Sequence, residues 1–261
     1  ATDDFETEIL TFTTETPDQM PDSDFESWSK DDKIIVIGAS AASKFWDSGN
    51  TGSAPLMGVN PTSGSTDYKH SGDYSVKLHS QYVGVGILGA FAAGNLFVGE
   101  FIGTDGTNGI LGWGRQWDTR PSALKGWVKY EPKTVDNDKN GDCPLIKKGD
   151  MDKGIIYIAL LDNSVIKEDS GKSYPVIVKT KKSGRQLFDK DGANVIAYGE
   201  LVYDAATAGD GMVEFEIPII YRRTDIKPSY IMCTASASIG GDYFVGGEGS
   251  TMYLDDLRLV Y

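Results

Sequence analysis

The sequence predicts an all-β fold, an antiparallel two-sheet β-sandwich, and three observations lead to it. Apolar and polar residues alternate over short segments, as where Tyr74, Val76 and Leu78 share one face of a strand. No segment repeats apolar residues at helical spacing, and the most helix-like stretch, 39–45, is only about two turns long. The chain also contains 31 glycines among 261 residues, which favours many tight turns between short strands.

The predicted strands follow one another without intervening helices. A leader strand is predicted over Glu8 to Thr13, inside an N-terminal segment, 1–24, that is expected to belong to the sandwich. The other strands are rich in Ile, Val and Tyr, and their predicted ranges are 33–37, 74–79, 124–130, 155–161, 174–179, 194–201, 213–217, 230–237 and 251–261. The polar segment 132–153 is expected to form one long surface loop. Residues 25–261 are therefore predicted to form a single domain.

The charge balance excludes two classes of partner. The chain has 25 basic and 38 acidic side chains, a formal net charge of −13, so a nucleic acid or an anionic membrane surface would be repelled. No apolar run approaches the length of a membrane helix, and no membrane span is expected. The chain opens on an acidic, Thr-rich stretch, so any signal peptide or lipid anchor is expected to have been removed.

Motifs of cofactor binding and acyl transfer are missing from the sequence. Gly84, Gly86 and Gly89 match a dinucleotide-binding spacing, but no helix pattern follows them, so we expect no nucleotide or organic cofactor. Only two histidines are present, which leaves little for a Ser-His-Asp or Cys-His mechanism. Cys143 and Cys233 are expected to be free thiols, with a single bridge between them as the alternative.

Two segments combine aromatic rings with hydrogen-bonding side chains, the mixture that sugar recognition requires. The candidate ligand-binding residues are Trp46, Asp47 and Asn50 in the first segment and Trp113, Arg115, Trp117 and Arg120 in the second. Packing in the core is the alternative for each of these three tryptophans. Trp28 and Trp127 lie close to or within predicted strands and are expected to be buried against the sandwich.

An acidic segment resembles the first half of a calcium loop. Its candidate ligands alternate along the chain, and they are Asp136, Asp138, Asn140 and Asp142. The twelfth position is Lys147 instead of an acid, so a solvated acidic hairpin tip is the alternative. A second candidate involves the last strand, where Asp255 and Asp256 point to opposite faces and one of them needs a buried partner. Glu26 would supply a second carboxylate if the chain ends meet.

Several motifs together resemble a known family. Phe25 to Trp28, Ser71 to Leu78, Leu124 to Tyr130 and Tyr253 to Leu259 are similar to landmarks of galactose-binding-like jelly rolls, which are common among carbohydrate-binding modules. Further motifs resemble the putative carbohydrate-metabolism domain (PCMD) family of surface proteins in glycan-foraging gut bacteria: FWDSGN at 45–50, AGNLF at 93–97, RP at 120–121, VIAYGE at 195–200 and GDYFVGGEGS at 241–250. The resemblance covers residues 25–261.

The resemblance implies a two-sheet jelly roll that is exported to the cell surface or periplasm, often behind a lipoprotein signal. It implies a role in carbohydrate capture or breakdown, with other glycan-utilisation proteins as potential partners. Related jelly rolls often hold a structural calcium, and the matching positions are Glu26 and Asp255, with backbone oxygens from the Ser71-Gly72 turn. The family often carries an N-terminal immunoglobulin-like domain, for which residues 1–22 are too short.

Three functions follow as hypotheses. The first is a non-catalytic carbohydrate-binding protein for polysaccharides or oligosaccharides that uses the seven candidate ligand-binding residues. The second is a glycoside hydrolase, which needs two facing carboxylates, with Asp47, Asp118 and Glu248 among the candidates. The third is a structural or adhesive surface module, in which the tryptophans would be buried.

Overall fold

The computed structural model describes residues 17–85 and 89–261, and they form a β-sandwich of two curved antiparallel sheets with little helix. The all-β prediction is confirmed. The leader strand predicted over Glu8 to Thr13 lies outside the described residues.

The elements are numbered here in chain order. They are β1 (Trp28–Asp31), β2 (Ile34–Ile37), β3 (Trp46–Asp47), α1 (Asn50–Met57), β4 (Thr62–Ser65), β5 (Ser75–His79), β6 (Gln81–Val83), β7 (Ala90–Ala92), β8 (Asn95–Asp105), β9 (Asn108–Trp113), β10 (Arg115–Gln116), β11 (Ala123–Glu131), β12 (Asn137–Asp138), β13 (Gly154–Leu161), β14 (Lys167–Asp169), β15 (Lys172–Tyr174), β16 (Val176–Lys179), β17 (Val195–Tyr203), β18 (Val213–Pro218), β19 (Ile220–Tyr221), β20 (Tyr230–Ser236), β21 (Val245–Gly246) and β22 (Thr251–Val260). A 3-10 turn, Gly241–Tyr243, follows β20.

The larger sheet has the order β16-β9-β8-β20-β13-β17-β19, with β10 and β3 paired to β20 and β8. Strand β13 is central, and its Tyr157 lies opposite Glu200 of β17 and Thr234 of β20. Phe97 of β8 lies opposite Thr234 in turn. Because directly opposite residues point to the same face, these four side chains form one row across the sheet.

The smaller sheet has the order β18-β11-β22-β5-β4 and packs its inner face against the larger sheet. Leu124 and Val128 of β11 meet Ile156 and Ile158 of β13 in one core, and all four are fully buried. Because successive side chains of a strand point to opposite faces, the odd-numbered residues of β13, including Tyr157, lie on the outer face of the larger sheet.

The N-terminal part of the described chain closes against the last strand. The Gln19 side-chain amide donates to the Leu259 carbonyl at 3.0 Å and accepts from the Leu259 N–H at 2.7 Å. Met20 and Phe25 then enter the main core. The N-terminal part of the described chain and the last strand therefore meet, which is the condition for Glu26 and Asp255 to share one site.

The helix lies outside the most helix-like stretch of the sequence. The stretch 39–45 is irregular, and the two-turn helix is α1, despite its Gly52 and Pro55. Asn50 fixes its start, because the Asn50 amide donates to the carbonyls of Ile35 and Thr62 and accepts from the Thr62 N–H. Tertiary contacts thus override local helix propensity at this position.

Both cysteines are free, as expected, and burial raises the pKa of Cys233 to about 12. Among the described residues, no helix has the length and apolar character needed to cross a membrane.

Candidate functional site

A cleft of about 830 Å³ runs over the outer face of the larger sheet. We call it the sheet cleft and define it by Phe97, Tyr157, Phe188, Tyr198 and Asp242. Its floor comes from β8, β13, β17 and β20, and loops and α1 form its walls. A concave, mainly apolar surface with a few polar groups is the usual form of a small-molecule site.

The aromatic rings of the cleft form a continuous surface. Tyr157 and Phe188 have ring centroids 5.9 Å apart, and their planes are within 4° of parallel. Tyr198 lies 6.2 Å from both rings, and Trp113 lies 6.4 Å from Tyr157. Flat apolar faces of this size suit the C–H face of a sugar ring.

Asp242 is the most unusual polar group in the cleft. It is half-buried in the 3-10 turn after β20, and no hydrogen bond to its carboxylate comes from the described residues. Burial raises the pKa of Asp242 to about 6, although the charge of Arg185 acts in the opposite direction. The pKa of Tyr157 is raised well above its ordinary value. Burial is the larger cause, and the charge of Asp242 adds to it.

Glu200 is a second acid of the cleft, and its pKa is shifted in the opposite direction to that of Asp242. Its Oε1 accepts from Lys190 Nζ at 2.8 Å, and its Oε2 accepts from the Tyr198 hydroxyl at 3.0 Å. Burial acts to raise the pKa of Glu200, but these hydrogen bonds outweigh it and lower that pKa below its ordinary value. The cleft therefore holds one acid with a raised pKa and one with a lowered pKa, which is the combination used for general acid and base roles.

Asp152 anchors the loop that carries Asp242. Asp152 is fully buried, and its Oδ2 accepts from Ser238 Oγ at 2.6 Å, from the Gly247 N–H at 2.8 Å and from Ser250 Oγ at 2.9 Å. Ser238 and Gly247 flank the turn on either side. One buried carboxylate therefore fixes both ends of the segment on which Asp242 stands.

The first group of sequence-predicted ligand residues lies in the interior. Trp46 is fully buried in the main core and donates from Nε1 to the Pro21 carbonyl at 2.8 Å. Asp47 Oδ2 accepts from Lys44 Nζ and from the Phe101 N–H, and Asn50 fixes α1 as described above. Core packing, the alternative for Trp46, is what the structure shows, so this ring offers no face to a ligand.

The second group is divided between the cleft and the framework. Trp113 lines the floor of the sheet cleft but is only 3% exposed. Trp117 is half-buried and packs against the main core on the other side of the sheet. Arg115 donates to the Gly99 carbonyl at 2.6 Å, and Arg120 donates to the carbonyls of the 224–226 loop. The structure thus brings only Trp113 to the cleft.

The three acids considered for hydrolysis do not converge. Asp47 is buried beside Lys44, Asp118 is exposed beside Lys227, and Glu248 is exposed at a loop. None of them lines the sheet cleft.

The calcium ligands predicted at the joined chain ends accept hydrogen bonds from the backbone of one turn. Glu26 accepts from the backbone N–H groups of Asp73 and Tyr74, and Asp255 Oδ2 accepts from those of His70 and Ser71. Calcium requires oxygen ligands, whereas this turn presents N–H donors to the two carboxylates. Calcium at Glu26 and Asp255 stays a prediction.

The carboxylates of the acidic loop, 136–142, already have hydrogen-bond or ion-pair partners within the protein. Asp138 Oδ1 accepts from the Gly141 N–H at 2.9 Å, Asp136 Oδ1 accepts from the Glu248 N–H at 3.0 Å, and Asp142 pairs with Arg185 at 2.8 Å. Asn140 accepts from Lys182 through its carbonyl. Among the residues that the structure describes, no three His, Cys, Asp or Glu side chains are grouped to hold a metal. Calcium at this loop stays a prediction.

The cleft residues that sequence reasoning missed come from four separate segments. Tyr157 and Tyr198 were hidden in strands whose two faces are both apolar, so alternation did not mark them as exposed. Phe188 and Asp242 stand in irregular segments. The one available signal was the GDYF motif at 241–244, in which an acid stands among aromatic residues.

Two solved structures share this fold. A putative glycoside hydrolase from Bacteroides thetaiotaomicron is 21% identical, with a TM-score of 0.63, and the match covers 92% of this chain and 70% of that one. One from Bacteroides vulgatus is 22% identical, with a TM-score of 0.63 and coverage of 91% and 96%. A weaker match, at 12% identity and a TM-score of 0.33, is TmCBM61 in complex with β-1,4-galactotriose; it covers 91% of this chain and 90% of that one.

No curated protein matches the chain. A family described as Putative carbohydrate metabolism domain, in contrast, matches residues 24–260, nearly the whole sequence. The chain therefore belongs to the putative carbohydrate metabolism domain (PCMD) family.

Proposed function

We propose that this protein captures glycans without cleaving them, and that the sheet cleft is the binding site. The observation that carries the proposal is the aromatic surface of Tyr157, Phe188 and Tyr198 beside the Asp242 carboxylate, which no described residue hydrogen-bonds. The rings suit the apolar face of a sugar, and the carboxylate and neighbouring hydroxyls suit its hydroxyl groups. Membership of a carbohydrate-related family supports this assignment.

The binding should be modest in affinity. A sugar that rests on one or two rings buries little area, and the association must also offset lost translational and side-chain freedom. Dissociation constants from about micromolar to about millimolar are therefore expected. We also propose that the mature protein works at the cell surface or in the periplasm, where polysaccharides are met, together with other glycan-utilisation proteins.

Affinity electrophoresis and calorimetry against soluble β-glucan, galactomannan, galactan and xylan test the proposal. Retardation without release of reducing sugar is expected, and Phe188→Ala should weaken it. Trp127→Ala is the matched control, because Trp127 lies on the outer face of the other sheet. Retardation that both variants leave unchanged would contradict the cleft as the site. Repeating the series with calcium and with a chelator tests the predicted metal at the Asp136 loop.

Glycoside hydrolysis is the second candidate, and the opposed pKa shifts of Asp242 and Glu200 favour it. A protonated Asp242 would donate to the glycosidic oxygen while ionised Glu200 would act as base on water. Release of reducing sugar that is lost in Asp242→Asn, with glycan binding retained, would establish this activity in place of simple capture. No binding and no release would favour a structural or adhesive module.

A further inference from the structure

The charged residues that line the sheet cleft are unbalanced. Among the described lining residues they are Asp189, Lys190, Glu200 and Asp242, three acids and one base. Lys190 is already paired with Glu200 at 2.8 Å. Asp189 and Asp242 are therefore left without a paired cation at the cleft surface, in a chain whose net charge is −13.

We propose that the sheet cleft selects electrically neutral glycans and rejects those that carry uronate or sulfate groups, with Asp242 as the acceptor for sugar hydroxyls. This inference rests on the proposed function and names the ligand class of the same site. Asp242 lacks protein donors among the described residues, so sugar O–H groups would be the donors that satisfy its carboxylate. The same carboxylate opposes a second anion, because like charges close together in a partly buried site repel strongly.

The aromatic floor strengthens the discrimination. Tyr157 and Phe188 offer apolar faces, and the two cations at the third ring, Lys190 at 5.5 Å and Arg222 at 5.9 Å from Tyr198, are paired with Glu200 and Asp191. The base whose charge acts on Asp242 is Arg185, which is engaged by Asp142 at 2.8 Å and lies 4.2 Å from the Tyr243 ring. A ligand carboxylate would therefore meet the Asp242 charge without a free cation to offset it.

A smaller pocket beside the cleft is the place where an anionic glycan would bind if the preference were reversed. It measures about 410 Å³, shares Phe91 with the cleft and is lined by Lys139, Lys181 and Lys182. Lys181 is paired with Asp105 at 2.8 Å, and Lys182 lies 3.7 Å from Asp142. These acids offset part of the positive charge, so we expect the pocket to leave the preference of the cleft unchanged.

The test compares each neutral glycan with its own carboxylated form. Soluble β-glucan, galactomannan and galactan are titrated by calorimetry at pH 7.5, each beside a derivative in which the C6 hydroxyl groups are oxidised to carboxylates. Whichever glycan binds, the neutral form should bind at least about tenfold more tightly than the oxidised form. Asp242→Asn should weaken neutral binding about tenfold and narrow the gap between the two forms. Asp73→Asn, an exposed acid on the other side of the sandwich, is the matched control and should change neither.

Oxidised glycan that binds as tightly as the neutral form, or more tightly, would overturn the proposed selectivity. It would indicate that the three lysines of the smaller pocket bind the anionic groups. Neutral binding that Asp242→Asn leaves unchanged would overturn the assignment of Asp242. If none of the neutral or oxidised glycans binds, the proposed function itself fails, and this inference fails with it. Circular dichroism and urea unfolding of each variant exclude misfolding as the cause of weaker binding.

Discussion

The two outer faces of the sandwich both carry aromatic residues, but only one of them is open. On the smaller sheet, Trp127 is stacked by His70 at 3.8 Å, and Lys77 lies 5.4 Å from the centre of the Tyr253 ring. On the larger sheet, Tyr157 and Phe188 pack beside each other and face a cleft. Aromatic content alone therefore does not mark a binding face. The two faces differ at Tyr157 and Phe188, which line the cleft, whereas Tyr198 has Lys190 at 5.5 Å and Arg222 at 5.9 Å from its ring centre.

The acids on the two sides differ in the same way. Outside the smaller sheet, Glu214 and Glu216 are paired with Arg258 and Lys125. Within the sheet cleft, no residue in the described part of the chain forms an ion pair with Asp242, and burial raises its pKa more than the charge of Arg185 lowers it. An unsatisfied acid costs stability, and function is a common reason for a protein to retain one.

The largest effect is expected when the anchor of the cleft loop is removed. Asp152→Ala leaves the buried donors of Ser238, Gly247 and Ser250 without an acceptor. We expect the free energy of unfolding to fall by about 3–5 kcal/mol. Urea denaturation measures it, with Asp73→Ala as an exposed control. A loss below about 1 kcal/mol would show that Asp152 does not hold the loop.

Removal of two cleft rings should nearly abolish glycan binding. Each buried aromatic face contributes about 1.5 kcal/mol or more, so Phe188→Ala combined with Tyr198→Ala should cost about 3 kcal/mol, or more than about 100-fold in affinity. Calorimetry with the glycan that binds most tightly to the wild type measures the change. An affinity within about threefold of wild type would contradict the sheet cleft as the glycan-binding site.

Asp242→Asn should stabilise the protein while it weakens binding. The folded pKa of Asp242, about 6, lies above the ordinary value of 3.8, so protonation favours the folded state. That contribution is complete below about pH 4 and is lost as the pH rises through 6, at a cost of up to about 3 kcal/mol. Because asparagine does not ionise, the variant should be about 1–3 kcal/mol more stable at pH 7 and equal to wild type near pH 4. Unfolding curves at both pH values check this. A variant that is less stable at pH 7 would mean that the Asp242 carboxylate has structural partners.

Glycan affinity should depend on pH with a midpoint near the pKa of Asp242, about 6. Below that pH the protonated carboxyl accepts fewer hydrogen bonds, so affinity should fall by about tenfold between pH 7.5 and 5. The groups that act on Asp242 are Tyr157, Arg185 and Tyr243, and none of them titrates in this range, since burial raises the pKa of both tyrosines. Glu200 stays ionised because its pKa is lowered. Titrations of wild type and Asp242→Asn at both pH values measure the effect, and a flat wild-type profile would contradict it.

The smallest effect is expected on the smaller sheet. Trp127→Ala removes a ring that His70 already covers, so glycan affinity should change by less than about twofold. A measurable loss would mean that the His70 stack opens to admit a ligand, and the contrast between the two faces would no longer hold.

Much of the fold could be predicted from sequence because strand alternation is a local property. Strands β5, β11 and β18 begin and end within a residue of their predicted limits. The position of helix α1 could not be predicted, because it depends on Asn50 contacts with two distant carbonyls. Such contacts leave no periodic trace in the sequence.

The site could be predicted only in part. Trp113 reached the cleft, whereas Trp46 is buried and Arg115 serves the framework. Residue type suggested a sugar site, but which rings are open is decided by sheet topology. Tyr157 and Asp242 are 85 positions apart and come together only because β13 and β20 are neighbours.

The most direct test of the central claim is a crystal structure with a bound neutral oligosaccharide. The ring of the sugar should lie against Tyr157, Phe188 and Tyr198, with a hydroxyl group within hydrogen-bond distance of the Asp242 carboxylate. A sugar bound over Trp127 on the smaller sheet, or at the chain ends near Glu26, would contradict the claim.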